Sequence, residues 1–338
     1  MASPRNRRLI LLGAAVTTAV VAAGIGTANA GTRPWSSGGH HRPAATRNVT
    51  PTASASRSIP PPVRPTASRP ASEAPTRTTS PAAPTAPASS TSATASAGAW
   101  TAPPANAAFD YQIGRAYTPP AGVTVVSRDH DAAAAAGLYN ICYVNAFQAQ
   151  SDALSWWQSN HPNVLLRDSS GNVVIDQDWD EALLDYSTAA KRAELTSVVG
   201  AWIDQCAGKG FKALEPDNLD SYTRSKGRLT ESQAIAYAAS LTSYAHSKGL
   251  AVGQKNTAEL TTATARQIGF DFAVAEECAD FDECANYTAS YGNQVIVIEY
   301  SQSGFTKACN SYGSRLSIVL RDVDVTSPGS GSYAFKSC

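Results

Sequence analysis

The chain has 338 residues with 27 Lys plus Arg against 27 Asp plus Glu, a formal net charge of zero. Ten Arg and one acid, Glu73, precede residue 105, which leaves 17 basic against 26 acidic side chains after it, a net charge of −9. That acidic stretch argues against nucleic acid as a partner and would attract a cationic ligand.

At the N-terminus Arg5, Arg7 and Arg8 precede an apolar run over 9–25, followed by Ala28-Asn29-Ala30. A charged region, an apolar region and a small-residue cleavage site in that order read as an export signal over 1–30. If the segment is not cleaved it is an anchor, because the run approaches the lower length of a spanning helix. No Cys follows it and no second long apolar run exists, so neither a lipid anchor nor an integral membrane partner is expected. The expected location is extracellular.

Residues 31–104 are dominated by Pro, Ala, Ser and Thr. They carry too little apolar surface to offset their ordering entropy and read as a disordered linker with spaced arginines. Residues 105–338 hold nearly all the Tyr, Phe, Ile and Leu, a length suited to one α/β domain.

In that domain apolar runs over 109–114, 123–127, 138–145, 212–218, 250–256, 270–276, 294–300 and 315–322 are predicted strands. Most are continuous rather than alternating, which fits parallel strands covered on both faces. Between them lie amphipathic helices over 188–208, from Thr230-Glu231 to His246, and over 258–268, closed by Gly208 with Gly210, Gly249 and Gly269. Strand, helix and glycine repeating in this way predict βα units. Eight strands predict a closed TIM (β/α)8 barrel, with a β-hairpin over 164–176 inserted around Ser170-Gly171-Asn172. No glycine-rich phosphate fingerprint follows the first strand, which disfavours a dinucleotide fold and a nucleotide cofactor.

Six cysteines, Cys142, Cys206, Cys278, Cys284, Cys309 and Cys338, all lie in the domain. An even count behind an export signal predicts disulfides. The expected pairing joins Cys278 to Cys284, Cys309 to Cys338 and, by remainder, Cys142 to Cys206. The histidines show no ligand spacing and there is no CxxC, so no metal is expected.

A TIM barrel works at the C-terminal ends of its strands. Here those ends carry Glu215-Pro216-Asp217-Asn218, Gln254-Lys255-Asn256, Glu276-Glu277 and Glu299-Tyr300. Burying carboxylates is costly unless they are paired, so several at one rim need a reason. Glycosidic cleavage supplies one, since it takes two carboxyl groups on opposite sides of a bond. Each also has a structural reading: Glu215 or Asp217 as partner of Lys255, Asn218 as a turn residue, Glu277 as a loop acid. Lys255 could instead be a Schiff-base nucleophile, although neighbouring carboxylates oppose that by raising its pKa.

The blocks Phe109-Asp110-Tyr111-Gln112-Ile113-Gly114, Tyr143-Val144-Asn145-Ala146-Phe147, Glu215-Pro216-Asp217-Asn218-Leu219-Asp220, Gly253-Gln254-Lys255-Asn256 and Phe272-Ala273-Val274-Ala275-Glu276-Glu277-Cys278 resemble glycoside hydrolase family 114 in the same order. That family contains endo-α-1,4-polygalactosaminidases on TIM barrels. The resemblance implies Asp217 and Glu276 as the catalytic carboxylates, and Asp110, Tyr143, Glu215, Asn218, Lys255, Glu299 and Tyr300 as sugar contacts. Where the family has Asn-Glu-Gln-Cys, this chain has Ala275-Glu276-Glu277-Cys278. The partner implied is a cationic or partly deacetylated galactosamine polysaccharide, cleaved at α-1,4 bonds by a single-chain enzyme that needs no cofactor. A non-catalytic exopolysaccharide- or wall-binding barrel is the alternative.

Overall fold

The computed structural model describes residues 99–338. The expected export signal and the linker up to residue 98 lie outside the described residues. Residues 99–104, which composition assigns to the linker, belong to the fold: Pro103 is buried and Trp100 packs on the domain. Among the described residues no helix is long and apolar enough to cross a membrane.

The strands are β1 (Phe109–Gln112), β2 (Val125–Asp129), β3 (Tyr139–Asn145), β4 (Gln148–Ala149), β5 (Ile175–Asp176), β6 (Glu181–Leu183), β7 (Ala213–Asp217), β8 (Ala251–Lys255), β9 (Phe272–Glu276), β10 (Val295–Glu299), β11 (Ser317–Arg321) and β12 (Phe335–Ser337). The helices are α1 (Leu154–Asn160), α2 (Ala189–Gly208), α3 (Glu231–Ser247), α4 (Thr262–Ile268), α5 (Cys284–Tyr291) and α6 (Gln302–Tyr312). Strands β1, β2, β3, β7, β8, β9, β10 and β11 run parallel in that order and form the eight-stranded wall expected. The fold is a TIM barrel.

The barrel departs from the regular pattern in three places. The β1–β2 and β2–β3 crossovers contain no helix; Pro119, Pro120 and Gly122 in the first remove backbone donors or favour turns. Second, β12 pairs antiparallel with β11, and β1 meets β11 through side chains. There the Ala107 N–H donates to Ser317 Oγ at 2.8 Å and Arg321 Nη1 to Asp110 Oδ1 at 3.2 Å. Third, the insertion is larger than a hairpin. Arg167 bridges Val173 as expected, but the segment also forms a three-stranded sheet in the order β4-β6-β5.

Local chemistry explains the helix starts. Thr188 caps α2 by accepting from the Lys191 N–H, and Thr230 with Gln233 makes a reciprocal capping box on α3. Each cap stabilises by about 1 kcal/mol. Helix α4 begins at Thr262 behind the Thr261 cap, later than the predicted 258, because Asn256 and Thr257 take left-handed backbone after β8.

Alternate residues of each parallel strand fill the barrel interior: Phe109 and Tyr111, Ile141 and Tyr143, Phe272 and Val274, Ile296 and Ile298. Gly253 is required there, since a Cβ would stand 2.8 Å from the Phe272 ring. The opposite faces pack on the helices, with Val295, Val297, Ile318 and Leu320 against Phe305 and Ala308 of α6. Burial of each such aliphatic or aromatic side chain stabilises by about 1.5–3 kcal/mol. The three disulfides are Cys142–Cys206, Cys278–Cys284 and Cys309–Cys338, the pairs expected.

Candidate active site

Five consecutive barrel strands, β7 to β11, end on Asp217, Lys255, Glu276, Glu299 and Arg321. After the first three, the next residue turns left-handed: Asn218 at φ 69°, Asn256 at φ 48° and Glu277 at φ 54°. Such backbone costs energy in non-glycine residues and persists where the surroundings enforce it, commonly at functional sites.

Lys255 is the hub. Its Nζ lies 3.3 Å from Glu215 Oε1, 3.3 Å from Asp217 Oδ2 and 3.4 Å from Glu276 Oε2, and donates to Tyr111 Oη at 3.0 Å. Burial alone would lower the Lys255 pKa, but Asp217, Glu276 and Glu215 outweigh it and hold the ammonium above its ordinary value. An amine held in its charged form is a poor nucleophile, which opposes the Schiff-base reading.

Around the hub each carboxylate has its own donors. Glu215 accepts from Tyr111 Oη at 2.9 Å and Ser127 Oγ at 2.6 Å, and burial pushes its carboxyl up against the pull of Lys255 and Ser127. Asp217 accepts from Tyr143 Oη at 2.9 Å and the Asn218 N–H at 2.8 Å. Glu276 accepts from Asn256 Nδ2 at 2.8 Å and from Tyr300 Oη. Burial, then the nearby carboxylates, raise the Tyr111, Tyr143 and Tyr300 phenols well above normal, so they donate as neutral groups.

The structure thus brings Tyr143, Glu215, Asp217, Lys255, Glu276 and Tyr300 together. Asn218 joins from the rim, donating to Asn145 Oδ1 at 3.0 Å and accepting from Arg224 Nη2 at 3.1 Å. Two expected contacts stand apart. Asp110 is fully buried with Arg321, Tyr117 and Gln112 at the seam. Glu299 points away from the barrel axis, accepts from the Ala279 N–H at 2.9 Å and faces Gly304 of α6.

Sequence reasoning passed over Tyr111, Ser127, Asn256 and Glu181. The first three share the inward strand parity or the strand end of residues it chose. Glu181 comes from the insertion, where no periodic signal exists. It accepts from Asn145 Nδ2 at 2.8 Å, and burial pushes its carboxyl up to about 7, with Asp217 and Asp176 adding to the rise. Arg224 holds that insertion in place through Asp176 at 2.6 Å and Asp220 at 2.9 Å. The Lys255 ammonium is therefore outnumbered by Glu215, Asp217 and Glu276, with Glu181 above them.

The model of glycoside-hydrolase family GH114 matches residues 89–338. The chain belongs to that family. This GH114 domain is accordingly a glycoside hydrolase by descent, with its polar strand ends where a TIM barrel carries its active site. Among solved structures it is similar to Aspergillus fumigatus Ega3 in complex with galactosamine, at 21% identity over 71% of this chain and 99% of that one, with TM-score 0.57. It is also similar to the glycoside hydrolase domain of PelA from Pseudomonas aeruginosa, at 15% identity over 68% of this chain and 97% of that one, with TM-score 0.47. No match was found among curated proteins.

Proposed function

We propose that this GH114 domain cleaves α-1,4 bonds in a galactosamine-containing polysaccharide, with Glu276 as acid/base and Asp217 as nucleophile. The observation that carries the reading is the convergence of Asp217 and Glu276 on one ammonium, at 3.3 Å and 3.4 Å from Lys255 Nζ. Those distances limit the two oxygens to about 6.7 Å apart, within reach of one glycosidic bond.

In the first half of the reaction Glu276 gives its proton to the departing glycosidic oxygen while Asp217 Oδ attacks the anomeric carbon. In the second half a water gives its proton to Glu276 and its oxygen displaces Asp217. Tyr143, the Asn218 N–H and Lys255 hold the charge on Asp217; Asn256 and Tyr300 fix the Glu276 carboxyl. Glu215, fully buried beneath Lys255, positions that ammonium.

A cationic substrate is supported by the surplus of carboxylates over Lys255 and by the net charge of −9 after residue 104. The galactosamine held by the similar Ega3 structure points the same way. Export is supported by the leader pattern and by three disulfides, which persist in oxidising compartments.

The test mixes the purified protein with α-1,4-galactosaminogalactan before and after chemical deacetylation and follows products by mass spectrometry. A ladder of oligosaccharides from the deacetylated polymer is expected. Asp217→Asn and Glu276→Gln should each lower its rate about a thousandfold or more, with folding intact. Saturable binding without release by the wild type would overturn the reading in favour of a binding domain.

A further inference from the structure

In the inserted sheet Asp176 of β5 and Glu181 of β6 stand directly opposite each other in the antiparallel pairing. Two acids facing across neighbouring strands repel, and burying them adds to the cost. Asp176 is only 3% exposed, and burial pushes the Glu181 carboxyl up. Their partners explain the arrangement, because two arms run from this rung to one residue at the barrel rim.

On one arm Glu181 Oε2 accepts from Asn145 Nδ2 at 2.8 Å, and Asn145 Oδ1 accepts in turn from Asn218 Nδ2 at 3.0 Å. On the other, Asp176 Oδ2 lies 2.6 Å from Arg224 Nε, and Arg224 Nη2 donates to Asn218 Oδ1 at 3.1 Å. The arms therefore meet the two ends of one side-chain amide. Asn218 is 3% exposed and left-handed, and in that conformation its N–H donates to Asp217 Oδ1 at 2.8 Å. Asn145 is also the neighbour of Asp217 in the β3–β7 register. The electrostatics report the same closeness. Burial leads both shifts, yet Asp217 adds to the rise of the Glu181 carboxyl, and Asp217 and Glu181 add to that of the Tyr143 phenol.

We propose that the inserted sheet positions the nucleophile: the Asp176–Glu181 rung holds both ends of the Asn218 amide, and Asn218 so held aims its N–H at Asp217. Glu181, Asp176, Asn145 and Arg224 are positioning residues that act on Asp217 through Asn218. This rests on Asp217 being the nucleophile and adds what keeps its carboxylate in line. Such alignment matters, since a misplacement of about 1 Å costs on the order of a hundredfold in rate.

A 5-fluoro galactosaminyl fluoride isolates the step concerned. Asp217 Oδ bonds to the anomeric carbon as fluoride leaves with the electron pair, so no acid is needed, and the ring fluorine slows hydrolysis of the ester. Labelling of the full chain and of its Asp217 peptide is followed by mass spectrometry over a range of probe concentrations. The wild type should be labelled on Asp217. Glu181→Ala and Asn218→Gly should each slow the maximal labelling rate about thirtyfold, with the half-saturating probe concentration changed by less than about threefold. Asn218→Gly keeps the backbone N–H and suits the left-handed turn, so its loss is not one of folding. Glu181→Gln keeps an acceptor for Asn145 and should recover most of the rate. In the Asn218→Gly background Glu181→Ala should cost nothing further, because the chain of contacts is already cut. Wild-type labelling in Glu181→Ala, or losses that multiply in the double variant, overturn the positioning role while Asp217 stands as nucleophile. A wild type that is not labelled on Asp217 overturns the nucleophile and the positioning role together.

Discussion

Glu299 and Tyr300 are neighbours at the end of β10, and as letters both look like site residues. A strand sends successive side chains to opposite faces, so only one of them can enter the barrel. Ile296 and Ile298 fill the interior, which puts Tyr300 on the axis with Glu276 and sends Glu299 outward to α6. The same parity groups Glu215 with Asp217 and sends Asp110 away from Tyr111. Counting parity from the apolar residues would have sorted these contacts from the sequence; chemical type alone did not. The outward acid has a measurable effect. Burial pushes Glu299 up to about 7, and Glu277 up to about 8, from an ordinary 4.5. A carboxyl with a raised pKa in the folded state favours folding fully below its unfolded value and loses that contribution as pH rises through the folded value. The melting temperature should therefore fall as pH climbs from about 4.5 to about 8. Glu299→Gln should match the wild type at the acidic end and melt a few degrees higher at the alkaline end. Parallel melting profiles for the two proteins, measured by circular dichroism across that range, would count against this account.

The ends of β7, β8 and β9 share one device: a charged side chain pointing inward, then a left-handed residue that turns the chain off the strand. Asn256 shows what the turn achieves, since its Nδ2 donates to Glu276 Oε2 at 2.8 Å while its Oδ1 accepts from the Glu276 N–H at 2.9 Å. One amide thus fixes both the backbone and the carboxyl of the proposed acid. Asn256→Ala should lower kcat about a hundredfold with a smaller change in KM, because a misplaced acid loses alignment rather than binding. Asn256→Gly relieves the backbone yet lacks the amide. A kcat for the glycine variant near wild type would show that the turn matters and the amide does not. The starts of α2 and α3 were legible because capping is written in three or four adjacent residues. The companions of the inserted hairpin were not, since β4 and β6 hold two and three residues and gain their stability from pairing across the chain. Asn at a left-handed position is readable in a sequence; Glu277 there is not.

Across the molecule the eight parallel strands were legible as a repeat of apolar runs and glycines, and the family blocks pointed to the residues now gathered around Lys255. The seam was not. β12 comes from a polar, glycine- and serine-rich segment with little burial, and only its partner β11 makes it a strand. Cys338 next to it is tied to Cys309 of α6 across a separation of 29 residues. Closing a loop of that size restricts the unfolded chain and stabilises by about 2–4 kcal/mol. Cys309→Ser with Cys338→Ser should lose about that much in denaturant unfolding while turnover stays close to wild type, because the pair lies away from Asp217 and Glu276. A large fall in kcat with little loss of stability would show that the seam shapes the cleft.

At the foot of the barrel Trp100 lies flat on His246, ring centres 3.8 Å apart, with its indole N–H on Asp271 Oδ1 at 3.0 Å. Asp271 stands just before β9, and Glu276 closes that strand at the far end, so the chain arrives on the side opposite the cleft. The first described residues therefore meet the barrel at the N-terminal ends of its strands, opposite the proposed cleft. A long polymer crossing the mouth of the barrel lies at the opposite end from Trp100 and the residues around it.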